Sequence, residues 1–155
     1  MSYTVDELEA QERELVLDRF THEESWLLGS ALAERAVREG LPVIIDVRRA
    51  DCVLFRAALA GSTPDQAEWL EKKAATTFRF QASSLLMGLR MAAAGVDPFA
   101  VGWLDAARFT MAGGSFPIRV DGAGMVAAVT VSGLSSDDDH SLILDALRAA
   151  YTRRP

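Results

Sequence analysis

Two stretches rich in β-branched and aromatic residues, each turning back on itself across a few polar residues, constrain this chain most. The first runs "PVIIDV", "RRAD", "CVLFRAAL"; the second runs "SFPIRV", "DGAG", "MVAAVTV". Runs of this kind around a short polar turn are β-hairpins by pattern, and the Asp121-Gly122 pair suits a tight turn with positive φ. Alternation places Val43, Ile45 and Val47 on one face of the first hairpin and Asp46 and Arg48 on the other.

The segments between and around the hairpins carry helix signals. Asp6 to Phe20 is charged, with a thin apolar stripe of Leu8, Leu15 and Val16 or Phe20, and reads as an exposed or partner-dependent helix. "THEE" is a capping box opening a helix that carries Trp26, Leu28, Leu32 and Val37 and stops at Gly40-Leu41-Pro42. "GSTPDQ" restarts a helix, with Thr63 as cap, Pro64 in the first turn and Gln66 closing the box; it is expected to run to about Gly95. Asp97-Pro98 signals a short helix to about Ala107. Ser136 is the expected cap of the last helix, with Asp137, Asp138 and Asp139 in its first turn and Arg148, Arg153 and Arg154 at or beyond its end, matching the helix dipole. The order α, ββ, α, α, ββ, α indicates an α+β domain on one antiparallel sheet.

Several function classes fall away on composition. A net charge of −6 argues against nucleic acid, whose binding rests on clustered Lys and Arg. The most apolar region, Leu85 to Val96, is interrupted by Arg90 and is too short for a membrane span. The acidic N-terminus "MSYTVDELEAQERE" lacks the features of a secretory signal, so a cytoplasmic location is expected. One cysteine, Cys52, suits a reducing compartment and excludes an internal disulfide or a multi-thiolate metal site.

"EGLPVIIDVRR", "GSTPDQAEWLEKK", "GGSFPIRVDGAGMVAAVTVSGL" and "DDDH", in that order, resemble the heme-degrading-domain (GlcG and HbpS-like) superfamily, and more closely its branch known as an uncharacterised protein family. The similarity spans about Trp26 to Ala150. It implies a profilin-like fold, a five-stranded antiparallel sheet flanked by helices, with residues 1–20 as a helical extension and 21–155 as one domain. It also implies homo-oligomers and, in some relatives, heme or a related tetrapyrrole. The branch usually reads His-Gly-Gly before its Phe-Pro strand, whereas this chain reads Met111-Ala112-Gly113-Gly114, so any role of that imidazole is absent.

The candidate ligand-binding residues are Arg48, Lys73, Gly113, Gly114, Phe116, Asp139 and His140. Consecutive amides at Gly113 and Gly114 could hold a carboxylate, or the pair could serve a turn. Arg48, Arg49 and Lys73 could pair a carboxylate-bearing ligand or be solvated. His140 could be oriented by Asp137 one helical turn earlier, or the acidic cluster could serve the helix start alone. His22 is expected in solvent, and Cys52, Met111 and Met125 could ligate heme iron or pack in strands. No nucleophile-and-base motif is present, and no metal site is expected. Three readings remain: an oligomeric small-ligand-binding protein, an assembly protein without a ligand, and an enzyme whose site is assembled from distant segments. Trp26, Trp69 and Trp103 are many large aromatics for one small core and favour a homo-oligomer.

Overall fold

The computed structural model describes residues 2–151; Arg153 and Arg154 lie outside the described residues. The elements are α1 (Val5–Glu14), β1 (Val16–Leu17), α2 (His22–Glu39), β2 (Ile44–Arg49), β3 (Cys52–Ala58), α3 (Pro64–Phe80), α4 (Ser84–Ala93), β4 (Ser115–Val120), β5 (Gly124–Ser132) and α5 (Ser136–Tyr151). Both expected hairpins form, and β2 joins them by pairing antiparallel with β5, giving the strand order β1-β4-β5-β2-β3.

The sheet is mixed rather than wholly antiparallel. The chain between α1 and α2 runs beside the outer edge of β4, where β1 pairs parallel with it, Val16 opposite Arg119 and Leu17 opposite Val120. Two residues of pairing leave no sequence pattern.

Alternation gives the sheet two unlike faces. Ile45, Val47, Phe116, Ile118, Val129 and Val131 turn to one side, where Leu28, Leu32, Ile143 and Leu147 of α2 and α5 complete the main core. The intervening Asp46, Ser115 and Thr130 are also buried but turn to the other side, under α3 and α4. Here the packing is polar: the Ser115 and Thr130 hydroxyls are 2.9 Å apart, and the Ser84 hydroxyl accepts from the Ser115 amide at 3.1 Å.

Several helical expectations are corrected. The N-terminal helix ends at Glu14 rather than near Phe20, and of the two readings it is the partner-dependent one, with the rest of the chain as partner: Leu8 is fully buried beside Ala82, Leu85, Leu86 and Met87. Arginines of later elements also hold it, with Arg90 on Glu9, Arg119 on Glu12 and Arg148 on Glu14. The long helix expected to reach Gly95 breaks at Gln81, which takes a left-handed conformation, and Ser83 then caps α4 by accepting from the Leu86 amide. No helix forms over Asp97–Ala107; Asp97 and Asp105 instead bond amides two or three residues ahead, closing successive turns. The cap of α5 is Ser135, whose hydroxyl accepts from the Asp138 amide, while Ser136 is committed elsewhere. Among the described residues no helix is long and apolar enough to cross a membrane.

Candidate functional site

The Pro64 and Gln66 start signals set the phase of α3, and that phase turns Lys73 inward. Its ammonium donates to Asp139 Oδ2 at 2.8 Å and to the Val131 carbonyl at 3.2 Å. Asp139 also accepts from the Leu134 and Gly133 amides, at 3.0 and 3.4 Å. Burial pushes the Asp139 carboxyl above its ordinary range, opposed by the pull of Lys73 and the two amides.

Gly113 and Gly114 make this arrangement possible. A Cβ on Gly114 would stand 2.9 Å from Lys73 Nζ, 2.5 Å from the Val131 carbonyl oxygen and 3.0 Å from Asp139 Cβ, at a φ of +127°. One on Gly113 would stand 2.8 Å from the Ser136 carbonyl oxygen. The Gly113 amide donates to the Ser136 hydroxyl at 3.0 Å, so the exposed pair of amides expected here does not exist: both glycines are buried and admit α5. Above the ion pair lies a shallow cleft of about 290 Å³, with Trp69, Lys73, Ala112, Ser132 and Ser136 in its walls.

Phe116 and His140 pack together on the other side of the sheet, their rings 5.8 Å apart. Asp137 does not orient His140. Gln11 of α1 does, its Oε1 lying 2.8 Å from His140 Nε2, and Tyr3 sits edge-on to the imidazole at 5.2 Å. Nδ1 has no partner among the described residues. Burial lowers the His140 pKa to about 4, so the sealed ring is neutral.

Arg48 is not gathered into this cluster. Its guanidinium donates to both oxygens of the buried Asp46, at 2.6 and 2.8 Å, and to both of Glu71, at 2.7 and 2.9 Å. Arg56 adds a third contact to Glu71, whose pKa falls to about 2 mainly through its hydrogen bonds from Arg48. The fork expected to meet a ligand carboxylate is filled by the chain's own.

One feature escaped the sequence reading. An open groove of about 850 Å³ lies between the start of α2 and the turns of the two hairpins. His22 and Met125 line it together with Arg49, and Phe20, Leu54 and Val126 supply apolar wall. His22 and Met125 belong to different ends of the sequence, so no spacing rule brings them together. Among the described residues no group of three or more His, Cys, Asp or Glu could hold a metal ion.

Residues 20–148 match the family model described as "Haem degrading protein HbpS-like". A UPF0303 protein of Streptomyces avermitilis is 45% identical over 150 residues, covering 97% of this chain and 92% of that protein. The crystal structure of the Ybr137w protein superposes with a TM-score of 0.89 at 26% identity, covering 99% of this chain and 91% of that one. The structure of a PduOC:heme complex superposes at 0.68 with 19% identity, covering 86% and 95%, which shows a shared fold.

Proposed function

Because this chain belongs to the HbpS-like haem degrading family, we propose that it is a small-ligand-binding module whose ligand is heme or a related tetrapyrrole. The observation that carries this reading is the meeting of His22, Met125 and Arg49 on one groove with apolar walls. We assign the protein to the cytoplasm, where an exposed unpaired thiol such as Cys52 persists.

Two other places are poorer fits for a macrocycle. His140 is fully buried with Nε2 engaged by Gln11. The cleft over Lys73 is about 290 Å³ and carries Ala112 where the family branch has an imidazole. The groove is roomier and holds the donor types that heme iron takes, an imidazole nitrogen and a thioether sulfur. When bound, heme would supply an iron that takes such donors. His22 and Met125 would hold the iron, Arg49 would pair an acidic substituent, and Phe20, Leu54 and Val126 would cover the ring.

Hemin titration of the purified protein, followed in the Soret region, tests this reading. Saturable one-to-one binding is expected, weakened about tenfold or more by His22→Ala or Met125→Leu and unchanged by His140→Gln. Binding strengthened by Ala112→His and indifferent to His22→Ala would move the seat to the Lys73 cleft. No binding at all would overturn the ligand reading in favour of an assembly protein, which the exposed Trp26, Trp69 and Trp103 would then explain.

A further inference from the structure

Three side chains around the Lys73 cleft have a hydrogen-bond donor left over. The Lys73 ammonium carries three N–H groups and spends two, on Asp139 Oδ2 at 2.8 Å and on the Val131 carbonyl at 3.2 Å. The third has no acceptor among the described residues, although Lys73 is only 5% exposed and lines the cleft. Ser132 follows Val131 and, two residues beyond Thr130, turns to the same side of the sheet. It is 2% exposed and lines the cleft too, and its hydroxyl has no partner among the described residues. The Ser136 hydroxyl accepts from the Gly113 amide at 3.0 Å, while its own O–H has no acceptor among the described residues.

These donors come from α3, β5 and α5, and the groups that place them are already fixed. Asp139 holds the ammonium and has nothing left to offer: Oδ2 accepts from Lys73 and the Gly133 amide, and Oδ1 from the Leu134 amide. Its charge balances that of Lys73, so the cleft selects by hydrogen bonding rather than by net charge. Among the described residues no carboxylate side chain walls the cleft, and the Gln66 Oε1 that does is taken by the Thr63 amide. Trp69, Ala112 and Leu134 supply its apolar surface. Trp69 is 41% exposed, and the Lys72 ammonium lies 4.9 Å over its ring and restrains it. At about 290 Å³ the cleft holds on the order of ten water-sized groups.

We propose that this cleft is a second binding site, for a small monocarboxylate with a flat apolar body. A carboxylate only accepts hydrogen bonds, and it matches a wall whose spare capacity is in donors. Lys73 and Ser132 donate to its oxygens, Ser136 adds a third donor, and the apolar body lies against Trp69 and Leu134. A nearly buried donor without a partner costs free energy, which a ligand oxygen relieves. The cleft shares no residue with the groove that holds His22 and Met125, so the two readings stand or fall separately.

Isothermal titration calorimetry of the full chain with benzoate tests the site. One benzoate per chain is expected, with a dissociation constant of about 1 mM or below. Benzamide has the same shape but turns an N–H₂ toward the donors, and should bind about tenfold or more weakly. Ser132→Ala weakens benzoate about tenfold, and Ala112→Phe, which fills the cleft, abolishes binding, both with thermal unfolding near that of the wild type. Should Ala112→Phe disturb the fold, Ser132→Ala decides alone. Benzoate bound no better than benzamide, benzoate bound as tightly by Ser132→Ala as by the wild type, or no saturable binding up to about 10 mM would each overturn the proposal.

Discussion

Lys73 Nζ and Asp139 Oδ2 lie 2.8 Å apart with both side chains almost wholly shielded from water, joining α3 to α5 across the end of the sheet. Replacing one partner leaves the other charge buried alone. Lys73→Met or Asp139→Asn is expected to lower unfolding free energy by about 3–5 kcal/mol, while Lys73→Met with Asp139→Asn costs less than the sum of the two. Urea denaturation of the four proteins closes this cycle. Single-variant losses under about 1 kcal/mol would show that the pair contributes little.

Gly114→Ala strikes the same junction from the backbone side. The added methyl meets the Val131 carbonyl and Lys73 in a left-handed φ, so a loss of at least about 2 kcal/mol is expected. Gly122→Ala is the control: its φ is +76°, but nothing lies within 4 Å of the new Cβ, leaving about 1 kcal/mol of conformational cost. Equal losses at the two positions would remove the packing account of the Gly113-Gly114 pair.

His140 makes stability fall in mild acid. Its folded pKa of about 4 lies below an ordinary value near 6.5, so between those limits the unfolded chain takes a proton that the folded chain refuses. The contribution is complete above about pH 6.5 and lost as pH falls toward about 4, amounting to about 3 kcal/mol. His140→Gln should flatten the pH dependence of unfolding in that window by one proton. An unchanged slope would mean that the ring is accessible to protons in the folded state.

Leu8→Ala removes the one fully buried apolar side chain of α1. The expected cost is about 2–5 kcal/mol, felt first by α1 itself. Hydrogen exchange should show amides 8–15 losing protection while those of β2 and β5 keep it. Uniform loss across the chain would mean that α1 and the sheet unfold as one unit.

The hairpins were legible because β-branched runs and an Asp-Gly turn are local signals, and the capping boxes at Thr21 and Thr63 marked two helix starts correctly. Thr4 and Glu7 form a third box, which opens the helix two residues ahead of the Asp6–Phe20 stretch. Gln81 in a left-handed conformation, which broke the long helix, is a tertiary choice that a glutamine does not advertise. Lys73, Gly114 and Asp139 were each named as candidates, but their mutual packing depends on strand order. The partners of Arg48 are hidden for the same reason, since Glu71 reaches it from another element. His22 and Met125 meet only once both hairpins are in place.

Parallel pairing of β1 beside β4 also has a consequence for synthesis. Residues 5–17 leave the ribosome before any of the groups that hold them, namely Ser83, Arg90, Arg119 and Arg148. Until α4 arrives, Leu8 has no seat, and α1 is too short to persist alone. This early segment is therefore fastened late, and a chaperone that meets the nascent chain would find Leu8 bare until α4 emerges.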